Sequence, residues 1–416
     1  MNTRPRWWET VTLPTYPKLR ENLRTEVCIV GGGLAGLMSA YLLAKAGRHV
    51  VLLEKKGIAW GATGATTAFL EQLIDTDVKD QIEMIGKEHT KHVWQSHGAA
   101  IDLIERIAND EGIECEFTRC PAYVFGTSRG EARDLKDEFA AMKGLGFPVF
   151  EYTKKLPFDQ RYAFEIRNQA KYHPLKFING LLPKLADMGV KLYEKSEVTK
   201  ITGKGPFKVH TTGFLVRADA TVTTTYQPFN NPKEVFLKKG MYKTYLVEFR
   251  VPKGKYPVAV YEDADNPYHY FRIDRNGDHD LLLLGGEDHR IEIKMKEEKA
   301  YASLEEYAEE IFGTRYPVTR RWSGPILEPI DGFAYIGRYA PGQYVATAFS
   351  GNGMTYSAIS AMIFRDLITG KKNPYAHLYE PSRLPSMTHL WIKGRDYTEE
   401  LFRGALTDIF KNPKKR

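Results

Sequence analysis

Residues 26–54 constrain this chain more than any other stretch. They read EVCIVGGGLAGLMSAYLLAKAGRHVVLLE: an apolar strand, a glycine turn, a helical segment, a second strand and a terminal carboxylate. Gly31, Gly33 and Gly36 have the G-x-G-x-x-G spacing. In a βαβ unit the first glycine allows the tight turn, the second lets backbone approach a pyrophosphate, and the third brings helix and strand close together. The start of the helix then offers unpaired N–H groups and the positive end of its dipole to the phosphates. Glu54 ends the second strand, where its carboxylate can accept hydrogen bonds from ribose hydroxyls. A glycine turn before a helix can also be plain packing, but here strand, helix, strand and acid form one unit of the required length. The expectation is a dinucleotide of unspecified kind on a Rossmann-like α/β domain.

With 416 residues the chain is too long for one core, so two or three domains are expected. A formal charge of +7 is modest for this length, and no stretch of interleaved Lys/Arg and aromatic residues suggests a nucleic-acid surface. Lys411, Lys414, Lys415 and Arg416 read as a frayed basic end. No apolar run is long enough to be a transmembrane segment, and the N-terminal stretch MNTRPRWWETVTLPTYPKL lacks the apolar centre of a secretory signal. The cysteines are Cys28, expected in the core, and Cys115 and Cys120, which lack metal-ligand spacing. A reduced cytoplasmic protein is the expectation.

Beyond the opening unit lies a Gly/Thr-rich segment, GATGATTA at 61–68. The periodicity predicts a helix over 77–109, strands within 113–126, a helix over 129–145, and another opening at His173-Pro174 and ending at Gly189. Short strands follow, among them FKVHT and ATVTTTY; from about Asn231 alternating strands include TYLVEFRV, YHYFRI and DLLLLGG. A helix over 303–312 closes that block. The implied division is a discontinuous nucleotide-binding domain (1–112, 155–230 and 320–416) and a mostly antiparallel α+β substrate domain (113–154 and 231–319).

Near the end, YVATAF runs into SGNGM and then a helix starting near Thr355. Gly351 and Gly353 allow a ligand close to the backbone, and the helix start would present N–H groups to it. A flavin suits this arrangement, because its N1–C2=O2 edge gains negative charge on reduction. The alternative is a structural turn before a packing helix.

The VGGGLAG…LLE unit, GATGATTA, YIG at 335–337 and FSGNGMT together resemble the D-amino-acid-oxidase-type (DAO) FAD-dependent oxidoreductases, over essentially the whole chain. TTA in the Thr loop, GGEDH at 285–289 and WSGP at 322–325 are closest to a branch that often carries a C-terminal Rieske domain; the Cys-x-His and Cys-x-x-His pairs of that domain are missing from this sequence. The resemblance implies a glutathione-reductase-type fold and non-covalent FAD, since no Cys lies near 322–337. It implies that Gly31, Gly33 and Gly36 meet the pyrophosphate and Glu54 the adenosine ribose. It places Thr63, Thr66 and Thr67 in the loop flanking flavin and pyrophosphate, Val198 at the adenine, and Gly353, Met354 and Thr355 at the pyrimidine edge. It also implies oxidation of the C–N bond of a small amine or amino acid by hydride transfer to flavin N5.

Two departures bear on the substrate. The Lys with which sarcosine oxidases clamp the substrate carboxylate is replaced by Thr355, and Phe69, Leu70, Glu71 and Gln72 supply no cation. Glu71 or Asp75 could instead hold a cationic amine. On the strand 268–273, period-2 alternation puts Tyr268, Tyr270 and Arg272 on one face. Tyr270 and Arg272 are the expected catalytic, substrate-side groups; the alternative is a solvent-facing edge with Arg272 paired to a surface acid. His289 reads as a turn histidine. The competing function is an electron-transferring flavoprotein subunit with a separate iron–sulfur or quinone redox partner, docked through residues 388–410.

Overall fold

The computed structural model describes residues 3–228, 239–265, 268–291 and 295–384. Its first sheet is organised around the strand Leu23–Val30, which pairs in parallel with Val50–Leu53 on one side and Leu215–Thr223 on the other. A strand covered on both faces cannot alternate apolar and polar residues, and Val27–Val30 are buried without a break. The full order is Tyr335–Ala340, Gln343–Thr347, Leu215–Thr223, Leu23–Val30, Val50–Leu53, Lys191–Tyr193. Phe207–Thr211 joins Leu215–Thr223 antiparallel and carries Val198–Thr202 on its other edge.

The helix Leu34–Lys45 is buried from Leu34 through Leu43 and packs against the helix Gly353–Ile368. Its close seat on the sheet depends on glycine. A Cβ at Gly36 would lie 2.0 Å from the Gly31 carbonyl oxygen, and Gly31 itself has φ +115°.

The second sheet has nine strands. Its order is Val318–Pro329, Lys239–Pro252, His279–Arg290, His269–Asn276, Val260–Asp263, Thr118–Gly126, Tyr162–Lys171, Phe69–Leu70, with Val149–Glu151 also on Tyr162–Lys171. Every pairing is antiparallel except Val260–Asp263 with Thr118–Gly126. The helix Glu297–Phe312 packs on Lys239–Pro252 and His279–Arg290, over a core that includes Phe125, Phe158, Tyr261 and Phe271.

The sheets do not follow the boundaries expected from the sequence. Tyr162–Lys171, Val318–Pro329 and the short Phe69–Leu70 all belong to the second sheet, not to the nucleotide-binding domain. Alternation reveals that a segment is a strand; it does not reveal which distant strand completes its hydrogen bonds. The helix over 77–109 is observed as Val78–Asp110, broken at Gly86, where φ is +78°. His173 caps the helix Pro174–Asp187, and Gly189 follows it with φ +77°. All three cysteines are buried and unpaired. No described helix is long and apolar enough to cross a membrane. The segment 388–410 and the basic end lie outside the described residues.

Candidate active site

A cleft of about 750 Å³ lies between the two sheets, lined by both glycine turns, the Thr-rich loop and strands of the second sheet. Gly31, Gly33, Glu54, Thr63, Thr66, Thr67, Val198, Gly353 and Met354 all face it. Gly36 and Thr355 do not line it; Gly36 acts behind the turn, through the close packing described above.

The Glu54 carboxylate is fixed by two backbone amides, Gly32 N–H and Lys56 N–H, each donating to a different oxygen at 2.7 Å. Each oxygen keeps a further lone pair for a hydroxyl. Thr63 Oγ1 accepts from Leu34 N–H at 3.2 Å, at the start of the helix Leu34–Lys45. A Cβ at Gly61 or Gly353 would meet nothing within 4 Å, so both positions open onto empty cleft. This cradle, with two helix N-termini at it, fits an extended dinucleotide.

The Thr-rich loop is held from behind. Trp322 Nε1 donates to Ala65 O at 2.9 Å and Trp7 Nε1 to Thr66 O at 2.7 Å. Arg272 Nη1 donates to Thr67 O at 2.8 Å and Ala68 O at 3.1 Å. Four successive carbonyls thus point away from the cleft, each satisfied by a long side chain, while Thr66 and Thr67 face it.

Arg272 is therefore not where alternation suggested. It is 1% exposed, does not line the cleft, and also donates to Tyr172 O and to Asp274 Oδ1. Its guanidinium lies over the Trp7 ring, 5.4 Å from the centroid. Asp274 is shared with Arg6 and Lys171, and the surrounding cations hold its carboxyl well below the usual range, against the effect of its burial. The face was read correctly; the covering of its far end by the N-terminal segment and the Thr loop was not legible. Thr355 needs a similar correction. Its side chain is 1% exposed and turns inward to His97 Nδ1 at 2.8 Å, off the cleft lining. Burial pushes the His97 pKa down to about 3, so that imidazole is neutral.

Tyr268 and Tyr270 do line the cleft, with ring centroids 5.6 Å apart, and Phe69 meets Tyr270 edge-on at 5.8 Å. Tyr270 lies flat across the neighbouring strand because its partner there is Gly285; a Cβ on Gly285 would fall 2.4 Å from the ring. Tyr270 Oη bonds Thr244 Oγ1 at 2.8 Å.

The same chamber holds three carboxyl groups, Glu71, Asp75 and Glu262. Burial, reinforced by Glu262 and Asp75, raises the Glu71 pKa well above the ordinary range. Glu262 is pushed up to about 7, chiefly by burial. The two side chains hydrogen-bond each other, so they hold a proton between them. Asp288, behind Tyr268, is raised to about 7, again chiefly by burial. Sequence reasoning singled out Glu71 and Asp75 but missed Glu262, although a carboxylate in the apolar strand VYED was an available signal. Trp7 and Trp322 carried no such signal. His289 is buried against Tyr245, not in the cleft.

A mostly parallel sheet with a glycine-cradled cleft, joined to an aromatic chamber on a mostly antiparallel sheet, is the arrangement of a dinucleotide-dependent enzyme. The chain belongs to the FAD dependent oxidoreductase (DAO) family, whose pattern it matches over residues 26–367; it is an enzyme, and FAD is its cofactor. It is 29% identical to the putative Rieske 2Fe-2S iron-sulfur protein YhfW of Bacillus subtilis, over 96% of this chain and 80% of that one. It is 24% identical to gamma-glutamylputrescine oxidoreductase of Escherichia coli, over 85% of this chain and 86% of that one. Its fold matches the crystal structure of glycine oxidase from Geobacillus kaustophilus with a TM-score of 0.74 at 20% identity, covering 88% of this chain and 100% of that one. None of the residues lining the cleft is a cysteine.

Proposed function

We propose that the protein oxidises the C–N bond of a small amine or amino acid. The observation that carries this reading is that one continuous cleft joins the glycine cradle to the chamber of Tyr268, Tyr270 and the carboxyl groups. FAD, when bound, supplies the acceptor for a hydride at N5. The rest falls to the chain. Phe69, Tyr268 and Tyr270 form an apolar wall that orients substrate and excludes water. The amine must be neutral for its lone pair to form the C=N bond as the C–H hydrogen leaves with its electron pair, and a chamber carboxylate can accept the ammonium proton. Water then hydrolyses the imine to a carbonyl compound and an amine. Three unpaired thiols suit a reducing compartment, and we place the reaction in the cytoplasm.

The test is an anaerobic screen of amines and amino acids against the purified yellow protein, read as loss of flavin absorbance. Bleaching by one of these classes is expected; a fully flavinylated protein that none of them bleaches would overturn the reading. The named iron–sulfur relative supports a second reading, in which electrons pass to a redox partner and not to oxygen. Reduced protein that releases no peroxide in air but is rapidly re-oxidised by a one-electron acceptor would favour it.

A further inference from the structure

We propose that Glu71, Asp75 and Glu262 form a subsite for the ammonium group of a cationic substrate and reject substrates that present a carboxylate there. The inference rests on the reading that the substrate is an amine or amino acid, and narrows it to the cationic amines.

The three groups come from separate elements that converge on one end of the cleft. Glu71 follows the strand Phe69–Leu70, Asp75 precedes the helix Val78–Asp110, and Glu262 projects from the strand Val260–Asp263. Glu71 is 6% exposed, and beyond the proton shared with Glu262 its Oε1 accepts no hydrogen bond from any described residue. A buried oxygen of this kind, lining a cavity, is an acceptor open to a ligand donor. The other groups nearby are the wrong sign or neutral for an anionic ligand. Asp75 Oδ2 accepts from Gly351 N–H at 2.8 Å, and Tyr268 and Tyr270 complete the wall. The lysines lining the cleft, Lys55 and Lys56, sit beside Glu54. Among the described residues, the buried cations Arg272 and Lys171 are committed to Asp274 behind the Thr loop, and His269, which Asp263 and Glu287 raise to about 9 against its burial, is paired with Asp263. Even with one proton held between Glu71 and Glu262, the cluster remains negative. Among the described residues a carboxylate placed here would meet repulsion without an uncommitted cationic partner, whereas an ammonium group would find three acceptors.

Binding can be read without turnover. In tert-butylammonium the carbon bonded to nitrogen carries no hydrogen, so hydride removal is impossible; tert-butanol is its neutral counterpart and pivalate its anionic one. The FAD-loaded protein, in phosphate buffer at constant ionic strength, is titrated with each probe and followed by flavin absorbance and calorimetry. Tert-butylammonium should saturate the site with an affinity on the order of tenfold or more above that of tert-butanol, with no saturation by pivalate. Glu71→Gln should weaken ammonium binding by about tenfold while leaving flavin content unchanged. If that buried substitution prevents folding, Asp75→Asn at the exposed position should still weaken it several-fold. Pivalate binding as tightly as the ammonium probe, or wild-type ammonium affinity in the folded variants, overturns the proposal. The two readings fail separately. Ammonium binding to a protein that no amine or amino acid bleaches would sink C–N oxidation alone; bleaching by amino acids with competition from pivalate would sink the subsite alone.

Discussion

Replacing Arg272 with Met separates two roles that the same side chain could play. The substitution keeps most of the aliphatic volume against Trp7 but removes donors to Thr67 O, Ala68 O and Tyr172 O, and the charge facing Asp274. Breaking a buried ion pair from one side costs about 3–5 kcal/mol. Asp274 keeps Lys171 and Arg6, which moves that figure towards its lower end. Against this, each carbonyl left without a donor costs about 1–3 kcal/mol where water cannot replace it. With water replacing most of those donors, a net loss on the order of 4 kcal/mol follows, or roughly 5 °C in Tm for 416 residues at about 2.1 cal/mol/K of unfolding entropy per residue. Because two of the lost bonds hold the cofactor-facing loop, FAD affinity should fall as well, on the order of tenfold. Thermal unfolding followed by flavin fluorescence measures the first, and titration of apoprotein with FAD the second. If Arg272→Met keeps its Tm and FAD affinity yet loses flavin reduction by substrate, Arg272 acts on the substrate and its assignment as a positioning residue is wrong.

Three further outcomes are expected. Gly36→Ala places a Cβ 2.0 Å from the Gly31 carbonyl oxygen, so the helix must move off the phosphate turn and the protein should purify largely without flavin; a wild-type flavin content would contradict this. Gly285→Ala, with its Cβ 2.4 Å from the Tyr270 ring, should displace the aromatic wall and slow flavin reduction severalfold at unchanged FAD content. The third concerns pH. Glu262, pushed up to about 7, is raised above its unfolded value, so the folded state binds the extra proton and the associated stability is full below about pH 4.5 and lost as pH rises through about 7. Asp288 behind Tyr268, and Glu138, which accepts from Val78 N–H at the start of the helix Val78–Asp110, are raised to about 7 too and act with the same sign. Glu262 is faced by Glu71, Asp75, Asp263 and Tyr270, and Tm without substrate should decline from pH 5 to pH 8, with a shallower decline in Glu262→Gln. A Tm rising across that range would show that these groups are ionised throughout.

The parts of this protein legible in its sequence are those whose causes are local. Gly31, Gly33 and Gly36 announce the turn because each steric need falls within one short unit, and Glu54 sits where strand length alone places it. The helix expected near Thr355, observed from Gly353, and the cleft-facing Tyr268 and Tyr270 follow from spacing and period-2 alternation. What the sequence hides is what covers each face. Arg272 shares the face of Tyr270, but the carbonyl that takes its hydrogen bond lies 205 residues away in the Thr loop. Thr355 lies in the first turn of the helix Gly353–Ile368, yet its direction depends on His97, 258 residues distant. Residues 155–230 read as part of the nucleotide-binding domain, yet the strand Tyr162–Lys171 within them joins the second sheet for the same reason: its edges are filled by Thr118–Gly126 and Phe69–Leu70, and no local pattern names them. Glu262 went unnoticed because a single acid in an apolar strand gains meaning only beside Glu71.

The anchoring of the Thr loop also sets an order of assembly. Its carbonyls are claimed by Trp7, Arg272 and Trp322, which are drawn from the beginning, the middle and the last third of the chain. During synthesis the glycine turn emerges early, but the loop opposite it cannot take its final form until Trp322 has been made and the second sheet has closed around it. Cofactor capture is thereby deferred to the nearly finished chain, and bound FAD reports that both sheets have found one another. A yellow colour in this protein is a record of completed long-range folding as much as of a filled site.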